Sequence, residues 1–528
     1  VFQDISGPKI RVGKLEENFK LKTGDKITFL PHEMIGKKTA EGEYELCINH
    51  PEILPLMKAG EFIYLYDGSI RAKVVAVSEQ GVRAVLENDG FLSSNKGVNF
   101  PNTRLNIDVI TQKDLEDLRW GAAHGVNFVG ISFVQSQNDI LRVREILNSL
   151  GSKAKIYAKI EKFDAVENIE QIIEASDGIM VARGDLGIEM PFYEIPRIQK
   201  RIIALANARS KPVITATQMM LSMTEHERAT RAEISDVANA VLDGTDAVML
   251  SEESAIGKNP AAVVAAMSET IRETEKIYPY DKFNDYDFYD ETDMITSSTA
   301  ALAARLGAGA ILSITGSGRS AIKLARNRAK IDIIAIAHDE QTAHALSLVW
   351  GVNPAMVREK TSINSLLAQI INEALQRGLI EEGGTYVMTA GFQSGHPGST
   401  DYIRIIKKDQ IDFYRIGRLR EIDGEAVEYE VSYFDRRIVP FISREIAEHS
   451  IYHYLENELK LKISHSQRKI VFRYANEEEK NAIDLGEYEM VVNVTSTTYL
   501  ADGRPFQYGS ISYRPDKIAF TSTAKRHV

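Results

Sequence analysis

Four apolar stretches in the middle of the chain end in side chains that could do chemistry. In chain order they end at Lys159 and Glu161, Arg183 and Asp185, Thr217 and Gln218, and Ser251 and Glu253. Residues two apart in a strand point to the same side, so Lys159 and Glu161 would point together. Two carboxylates and an ammonium group at one sheet edge would hold a divalent, oxygen-ligated ion beside a fixed charge, as phosphoryl transfer requires. Salt bridges that close a buried layer between strands would explain the same spacing.

The elements that must position these residues alternate along the chain. Between residues 101 and 275, short apolar strands such as KIYAKIE and KPVITAT follow amphipathic segments such as NDILRVREILNSL. This order predicts parallel strands with crossover helices. In a (β/α)8 barrel the carboxyl ends of the strands carry the active site. The glycine of Arg183-Gly184-Asp185 would let backbone N–H groups approach an anion closely.

Three further regions complete the predicted α/β fold. Residues 14–100 alternate apolar and polar positions in short runs, which predicts an antiparallel β-barrel lid inserted into the barrel of 1–13 and 101–275. Residues 276–414 alternate strands and helices again and predict an open α/β domain. Residues 415–528 hold 9 of the 21 Tyr but 5 of the 35 Gly, so we place a boundary near Tyr414 and predict an α+β domain of three strands and one helix, SIYHYLENEL.

Composition excludes several classes of protein. The length of 528 residues predicts three or four domains, and the net charge of −11 offers no basic surface for nucleic acid. The single cysteine, Cys47, excludes a disulfide framework and a Cys-based zinc site, and it fits a reducing, cytoplasmic setting. No run of 18 apolar residues and no signal-peptide pattern is present, so we expect neither a membrane span nor secretion.

Long motifs in residues 1–414 resemble pyruvate kinase. The stretches that carry the resemblance are QDISGPKIRVG (3–13), SSNKGVNFPN (93–102), ISFVQSQNDI (131–140), AKIEKFDAVENI (158–169), DGIMVARGDLGIEMP (177–191), KPVITATQMMLSM (211–223) and RATRAEISDVANAVLDGTDAVMLSEESAIGKNP (228–260). The resemblance implies transfer of a phosphoryl group from phosphoenolpyruvate to ADP, giving pyruvate and ATP. It also implies Mg²⁺ or Mn²⁺ as the cofactor and a homotetramer.

The resemblance implies roles for the residues at the strand ends. Glu161 and Asp185 would bind Mg²⁺ together with substrate oxygens, and Lys159 would stabilise the moving phosphoryl group and the enolate. The backbone N–H groups of Gly184 and Asp185 would face the substrate carboxylate. Thr217 would lie against that carboxylate, near the enolate face.

Further matching residues would complete the site. Ser251 and Glu253 match positions of a water network that is linked to protonation of the enolate. Lys96, in the lid, matches a nucleotide-phosphate contact, and Arg11 would lie on the phosphate side. The lid would close over the site.

Lys9 stands where potassium-dependent members of the family carry glutamate. Its ammonium group would supply the fixed monovalent charge that K⁺ otherwise provides, so we predict a reduced or absent K⁺ requirement. Asp4 would be a K⁺ ligand if the ion is used.

The segment Thr315–Ala321, TGSGRSA, follows a predicted strand and opens a helix. Together with Asp339, this segment matches the fingerprint of a dinucleotide-binding site. A phosphate-binding turn or a purely structural turn would explain the same residues. In pyruvate kinases the matching loop belongs to the effector domain. The resemblance therefore implies a phosphorylated allosteric ligand at Thr315, Ser317, Gly318, Arg319 and Ser320.

Residues 415–528 resemble the UTRA ligand-binding domain of GntR-type regulators. The resemblance rests on RLREIDGEAVEYEVSY (418–433), HSIYHYLENEL (449–459), TSTTYLADGRPFQYGSISYRPDKIAF (495–520) and the terminal Arg526. It implies contacts to a phosphorylated sugar or similar effector from Arg418, Arg420, Glu430, Ser450 and Tyr513. Gln507 occupies a position at which some members of the family carry glutamate. An ordinary packing domain with solvated arginines is the alternative.

Both resemblances lack their opening segments. The pyruvate kinase family begins with two barrel strands that precede the first motif of this chain, and six of eight βα units are readable. The UTRA-like part also lacks its first strands and a DNA-binding domain. We therefore expect a chimera or fused fragments. One hypothesis is an active pyruvate kinase, and the other is a catalytically impaired chain whose remaining function is effector binding by residues 415–528.

Overall fold

The computed structural model describes residues 1–105, 107–280, 286–356, 384–391, 402–406, 413–422 and 424–519, together with Ala374, Gly378, Ile380 and Thr400. It divides into two compact units, Val1–Arg358 with Val387–Arg404, and Glu359–Tyr386 with Ile405–Val528. None of the helices in the described part is long and apolar enough to cross a membrane. Strands and helices are numbered below in chain order.

Six parallel strands form the sheet that carries the strand-end residues, in the order β1-β11-β12-β13-β14-β15. Their bounds are β1 Phe2–Ile5, β11 Phe128–Ile131, β12 Lys155–Ile160, β13 Gly178–Ala182, β14 Val213–Ala216 and β15 Ala247–Val248. All residues of β11, β13 and β14 are buried, as expected of parallel strands covered on both faces. The predicted alternation of strands and helices is confirmed.

Nine helices connect or follow these strands in the described residues. They are α1 Gln112–Ala123, α2 Gln137–Ser149, α3 Phe163–Glu167, α4 Ile169–Ala175, α5 Arg183–Glu189, α6 Ile195–Ala208, α7 Arg231–Asp243, α8 Glu252–Ala255 and α9 Pro260–Glu275. Local sequence sets the starts of α1, α2 and α7, because Thr111, Ser136 and Thr230 each form a capping box with the acidic residue three positions later.

The β module of residues 14–100 contains a seven-stranded sheet in the order β10-β6-β7-β8-β3-β5-β4 and a separate pair, β2 with β9. The bounds are β2 Phe19–Leu21, β3 Lys26–Leu30, β4 Lys37–Lys38, β5 Tyr44–Cys47, β6 Phe62–Leu65, β7 Ile70–Ser78, β8 Gly81–Leu86, β9 Gly90–Leu92 and β10 Val98–Asn99. The prediction of a purely antiparallel module was wrong in one place, since β3 and β5 are parallel. The chain leaves β3, turns back along the edge as β4, and turns again into β5.

A five-stranded sheet in the order β18-β17-β16-β19-β20 forms the α/β domain. Its strands are β16 Ala310–Ile314, β17 Ile333–Ala337, β18 Val352–Met356, β19 Tyr386–Ala390 and β20 Tyr402–Ile406, and its helices are α10 Glu291–Leu306, α11 Arg319–Arg326 and α12 Glu340–Leu346. The first three strands are parallel neighbours, as the repeated βα order predicts.

The second unit contains an antiparallel five-stranded sheet in the order β21-β22-β25-β24-β23. Its elements are β21 Phe413–Ile422, β22 Glu425–Asp435, α13 Arg444–Glu448, α14 Ile451–His453, β23 Ile463–Tyr474, α15 Glu477–Ala482, β24 Met490–Leu500 and β25 Pro505–Tyr513. The three predicted strands are present. Sequence patterning missed β21 and β23, and β23 is an edge strand without a consistently apolar face.

The helix predicted at SIYHYLENEL is shorter than expected. Only Ile451–His453 is α-helical, and Tyr454–Glu458 forms a wider π turn. The wider turn leaves two consecutive side chains, Tyr454 and Leu455, both in the core with Phe434 and Phe506. Packing therefore overrode the regular helical period.

Candidate active site

Lys159 lies at the centre of a cluster built from three neighbouring strands. Its Nζ lies 2.8 Å from Glu161 Oε1, and it donates to Ser132 Oγ at 2.8 Å and to Asp4 Oδ2 at 3.2 Å. Asp4 belongs to β1, Ser132 follows β11, and Lys159 and Glu161 lie in and just beyond β12. We call Asp4, Ser132, Lys159, Glu161 and Asp185 the strand-end cluster.

A buried carboxylate, that of Glu161, and a more exposed one, that of Asp185, share this cluster with a single ammonium group. Burial raises the pKa of Glu161, and the charge of Asp185 raises it further against the opposing effect of Lys159. Burial likewise raises the pKa of Asp185, with Lys159 opposing and Asp67 adding to the shift. Burial opposes the charge of Lys159, but the carboxylates raise its pKa above the ordinary value. The cluster thus holds a firmly charged lysine and more negative charge than that lysine offsets.

This donor set fits a hard divalent cation. Glu161 is 3% exposed, and besides its contact with Lys159 it accepts a hydrogen bond from the Phe133 N–H at 2.9 Å. Carboxylate oxygens are the ligands that Mg²⁺ and Mn²⁺ prefer, with substrate oxygens and water completing the coordination. Among the described residues no group of three or more His, Cys, Asp or Glu side chains is arranged to hold a metal. A metal at Glu161 and Asp185 would therefore need oxygens from substrate.

Arg183 and Asp185 lie on a helix and not at the end of a strand, which corrects the sequence-based prediction. The strand β13 ends at Ala182, and α5 begins at Arg183. Arg183 donates to the carbonyl oxygen of Ala216 at 3.2 Å and to that of Thr217 at 2.8 Å, and it pairs with Asp236. Sequence reasoning gave this arginine no role, although it holds the loop after β14 against α5.

Thr217 meets Gly184 directly. Thr217 Oγ1 accepts a hydrogen bond from the Gly184 N–H at 2.8 Å and donates one to the Ala216 carbonyl at 2.7 Å. The Gly184 N–H is therefore already paired, and a substrate carboxylate would have to share it. Thr217 and Gln218 have φ of +69° and +53°, a strained conformation for a β-branched residue such as threonine. Such strain is typical of functional sites.

Ser251 and Glu253 do not lie in β15, which ends at Val248, and Glu253 falls in the short helix α8. Glu253 is 1% exposed and accepts hydrogen bonds from the Met220 N–H at 3.1 Å and the Ser251 N–H at 2.8 Å. It joins the loops that follow β14 and β15. Ser251 is half-buried, and its position depends on this buried carboxylate.

The residues predicted for the nucleotide and the monovalent ion lie in and beside the β module. Arg11 forms an isolated bridge with Gly97, next to Lys96, whose Nζ lies 4.2 Å from the centre of the Tyr66 ring. Lys9 is exposed, and its charge acts to lower the pKa of Asp185. The structure therefore brings Lys9 into the electrostatic reach of the strand-end cluster.

A cavity of about 620 Å³ opens beside the strand-end cluster. Its volume lies in the range of small-ligand sites. Asp67 contributes from the β module, and Arg183, Gly184, Asp185 and Gln218 contribute from the barrel. Sequence reasoning missed Asp67. The Asp67-Gly68 pair is a turn signal that could have marked it, and in the structure both residues have left-handed φ.

The loop Thr315–Ser320 is held by one local hydrogen bond and by two contacts to distant segments of the chain. Thr315 Oγ1 accepts from the Gly318 N–H at 3.0 Å, Ser320 Oγ lies 2.6 Å from Thr400 Oγ1, and Arg319 pairs with Asp290 at 2.5 Å. Ser317 and Arg319 line a second cavity of about 660 Å³, to which Lys211, Lys323 and Arg326 also contribute. Asp339 caps α12 by accepting from the Thr342 N–H, which argues against a ribose contact.

In the second unit, two of the candidate effector residues, Arg418 and Glu430, belong to a row of polar side chains in which Glu430, Ser432 and Gln507 are buried. Arg418 Nε donates to Glu430 Oε2 at 3.1 Å, Ser432 Oγ donates to Glu430 Oε1 at 2.7 Å, and Gln507 donates to Ser432 at 3.2 Å. Tyr452 donates to Gln507. We call these five side chains the polar row.

The other three effector candidates have structural contacts of their own. Arg420 lies 3.7 Å from Glu428, and Ser450 caps α14 by accepting from the His453 N–H. Tyr513 ends β25 opposite Glu428, and burial raises the pKa of its hydroxyl. The Ser450 hydroxyl is thus partly committed to a helix cap.

Three family models match the chain. Residues 1–264 match the pyruvate kinase barrel domain, residues 293–406 the pyruvate kinase alpha/beta domain, and residues 408–519 the UTRA domain.

Curated relatives and a solved structure agree with the first two models. The chain is 37% identical to a pyruvate kinase of Clostridium acetobutylicum over 409 residues, which cover 76% of this chain and 85% of the relative. It is 36% identical to a pyruvate kinase of Thermotoga maritima over 407 residues, covering 77% and 86%. The crystal structure of a pyruvate kinase from Cryptosporidium parvum superposes with a TM-score of 0.72 at 30% identity, covering 77% of this chain and 83% of that one.

Because the barrel-domain match spans half of the chain and the relatives are matched over most of their length, the chain belongs to the pyruvate kinase family, and a UTRA domain follows its α/β domain.

Proposed function

We propose that the strand-end cluster and its cavity carry out the reaction of the family, the transfer of the phosphoryl group of phosphoenolpyruvate to ADP. In this reaction the bond from phosphorus to the enolate oxygen breaks and a bond to the terminal oxygen of ADP forms. The enolate then takes up a proton at carbon to give pyruvate. The observation that carries the proposal is the Lys159 ammonium group, which is 13% exposed and is held between Asp4, Ser132 and Glu161 at 2.8–3.2 Å.

Lys159 is positioned to stabilise the negative charge of the phosphoryl group in flight and of the enolate. Its ammonium group is fixed before substrate arrives, so little reorganisation is required during the reaction. Glu161 and Asp185 would hold Mg²⁺ or Mn²⁺, which would neutralise phosphate charge and align the substrates. Thr217, held in its strained conformation by Arg183, would contact the substrate carboxylate.

Ser251 would take part in protonation of the enolate, with Glu253 fixing its backbone. Lys96 and Arg11 would contact the phosphates of ADP from the base of the β module. Supplying phosphoenolpyruvate, ADP and Mg²⁺ and following pyruvate by a coupled assay tests the proposal. Turnover that disappears on chelation of the metal supports it, and absence of turnover with the metal present contradicts it.

We propose that the Lys9 ammonium group takes the place of K⁺. The support is its electrostatic effect on Asp185, together with the engagement of Asp4 by Lys159 and Ser132. Replacing K⁺ by a large inert cation should leave the rate unchanged. A Lys9→Glu variant should acquire a K⁺ requirement. A sharp loss of rate without K⁺ in the unaltered chain would contradict the assignment.

A phosphorylated effector at the loop Thr315–Ser320 is a further part of the proposal. The basic side chains of Arg319, Lys323 and Arg326 around the adjoining cavity support it. Arg319 is bound to Asp290, so an incoming phosphate would have to replace that carboxylate. Activity measured across a panel of sugar phosphates and nucleoside monophosphates, with Arg319→Met as the comparison, tests the site.

Effector binding by the UTRA domain is a second candidate function. The polar row favours it, since Glu430, Ser432 and Gln507 are buried polar groups on strands that a small hydroxylated ligand could join by hydrogen bonds. A thermal shift by a sugar phosphate that Arg418→Met abolishes would support this function. No shift from any compound of the class, at millimolar concentration, would contradict it.

The proposal also places the enzyme in the cytoplasm as a homotetramer. The neighbouring exposed rings of Phe192 and Tyr193, packed edge to face, support association of copies through this region. Sedimentation of the full chain, with Phe192→Ser as the comparison, tests the oligomeric state.

A further inference from the structure

A buried ion pair lies outside the residues assigned to the reaction. Lys162 Nζ lies 3.0 Å from Glu189 Oε2, and each side chain is 2% exposed. A buried carboxylate is costly unless charge and hydrogen bonds compensate it. The pair therefore constrains the position of any element that supplies a partner to Glu189.

The β module supplies that partner. Asn99 Nδ2 donates to the second oxygen of Glu189, Oε1, at 3.2 Å. Asn99 belongs to β10 of the module, and Glu189 is the last residue of α5, the helix that carries Asp185. Lys162 directly follows Glu161. One buried carboxylate thus joins the module to both segments that carry the candidate metal ligands.

A second contact links the module to the same helix. A Cβ placed on Gly68 would lie 3.4 Å from Ile188 Cγ2, so the turn of residues 66–69 lies against α5. Next to it, Asp67 lines the cavity, and its charge adds to the raised pKa of Asp185. The module therefore reaches α5 through both an apolar and a polar contact.

We propose that the Asn99–Glu189 hydrogen bond is a latch that holds the β module closed over the strand-end cavity. Asn99 and Glu189 are positioning residues in this proposal, since neither touches the reacting groups. Lys162 pairs with the other oxygen of Glu189, Oε2, so the module can leave without leaving that carboxylate unpaired. The latch depends on the proposed function in one respect, namely that closure of the β module completes the ADP site.

The variants that test the latch most directly replace Asn99. Asn99→Leu removes the donor at nearly constant volume, and Asn99→Asp places a second carboxylate against Glu189. Both should raise the KM for ADP, by roughly 10-fold for the first, as expected from loss of a hydrogen bond to a charged group, and by more for the second. The value of kcat should change less than the KM. Thr23→Val is the matched control, because Thr23 bonds Asp89 within the module itself.

Comparison of the Asn99 variants tests the specific contact. Equal KM values for ADP in N99L, N99D and the Thr23→Val control, in proteins that melt cooperatively, would overturn the latch. A KM for N99D no higher than that of N99L would also overturn it, because only N99D places a second carboxylate against Glu189.

Hydrogen exchange separates the latch from the proposed function. If the unaltered chain shows no turnover, the proposed function fails, but the latch still predicts faster amide exchange in residues 66–69 and in α5 of N99L than in the control. Equal exchange in N99L and the control would overturn the latch independently of activity.

Discussion

The strand-end cluster and the polar row of the UTRA domain both place a cation against a buried carboxylate, and they differ in charge balance. Around Lys159 stand three carboxylates, those of Asp4, Glu161 and Asp185. In the polar row, Arg418 pairs with Glu430, and the next partners are neutral hydroxyl and amide groups.

This difference separates two kinds of polar site. An excess of carboxylate charge, part of it buried at Glu161, is relieved by a bound cation, so the strand-end cluster fits the metal and the anionic substrate of the proposed function. In the polar row the charges of the ion pair balance each other and its neighbours are neutral. A ligand can therefore bind there only by replacing existing hydrogen bonds. Both sites contain an ion pair, but only the strand-end cluster has more carboxylates than cations, and this excess distinguishes the two sites.

The largest expected effect is on catalysis at the strand-end cluster. Lys159→Met should lower kcat by roughly 10³-fold, because a preorganised charge that stabilises the transition state is lost. Lys113→Met is the control, since Lys113 is exposed on α1 and pairs with Asp117 of the same helix. A loss of less than tenfold, measured by the coupled pyruvate assay, would contradict the role of Lys159.

The next largest effect is on the stability of the polar row. Arg418→Met should lower the free energy of unfolding by about 2 kcal/mol, because Glu430 is left buried without its cation, although the exposure of Arg418 moderates the loss. The double variant R418M/E430Q should recover most of it. Urea denaturation of the full chain measures both. If the single variant were as stable as the double variant, the matched pair would not be the organising feature.

Glu161→Gln should raise the free energy of unfolding, which is opposite to the effect expected for Arg418→Met. Because burial raises the pKa of Glu161, the folded chain binds its proton more tightly than the unfolded chain, and ionised Glu161 destabilises the metal-free fold at neutral pH. We expect a gain in the free energy of unfolding without Mg²⁺, which vanishes as the pH falls towards about 4. The stabilisation of the unaltered chain by Mg²⁺ should disappear in the variant. Destabilisation by Glu161→Gln, measured in thermal melts with and without EDTA, would refute the charge excess.

The smallest expected effect is the pH dependence contributed by Glu479. Burial opposes its ionisation, but hydrogen bonds from Arg473, Ser512 and the Asn476 N–H lower its pKa below the ordinary value. Its stabilising effect of about 1 kcal/mol is therefore present at neutral pH and is lost as the pH falls from about 4 through the lowered pKa. Glu479→Gln should remove this loss, whereas Glu477→Gln, at an exposed position, should not. The measurement is the free energy of unfolding as a function of pH. Identical profiles for the two variants would contradict this role of Glu479.

The sequence determined the chemistry and most of the elements. Strand and helix alternation followed from apolar periodicity, the capping boxes at Thr111, Ser136 and Thr230 set helix starts, and the motifs around Lys159 and Asp185 pointed to phosphoryl transfer. These are local properties, decided by residues a few positions apart. Local patterns were wrong where packing overrode them, as at the π turn of Tyr454–Glu458, and where a strand lacked an apolar face, as in β23.

Only the tertiary structure decided how the chemical groups meet. Asp4 and Lys159 are 155 positions apart, and Asn99 and Glu189 are 90 positions apart, yet each pair is in contact. The direction of the pKa shifts at Glu161 and Asp185, and the left-handed conformation of Thr217, also depend on surrounding elements. Burial and long-range contact are properties of the whole packed chain, so no local run of residues contains them.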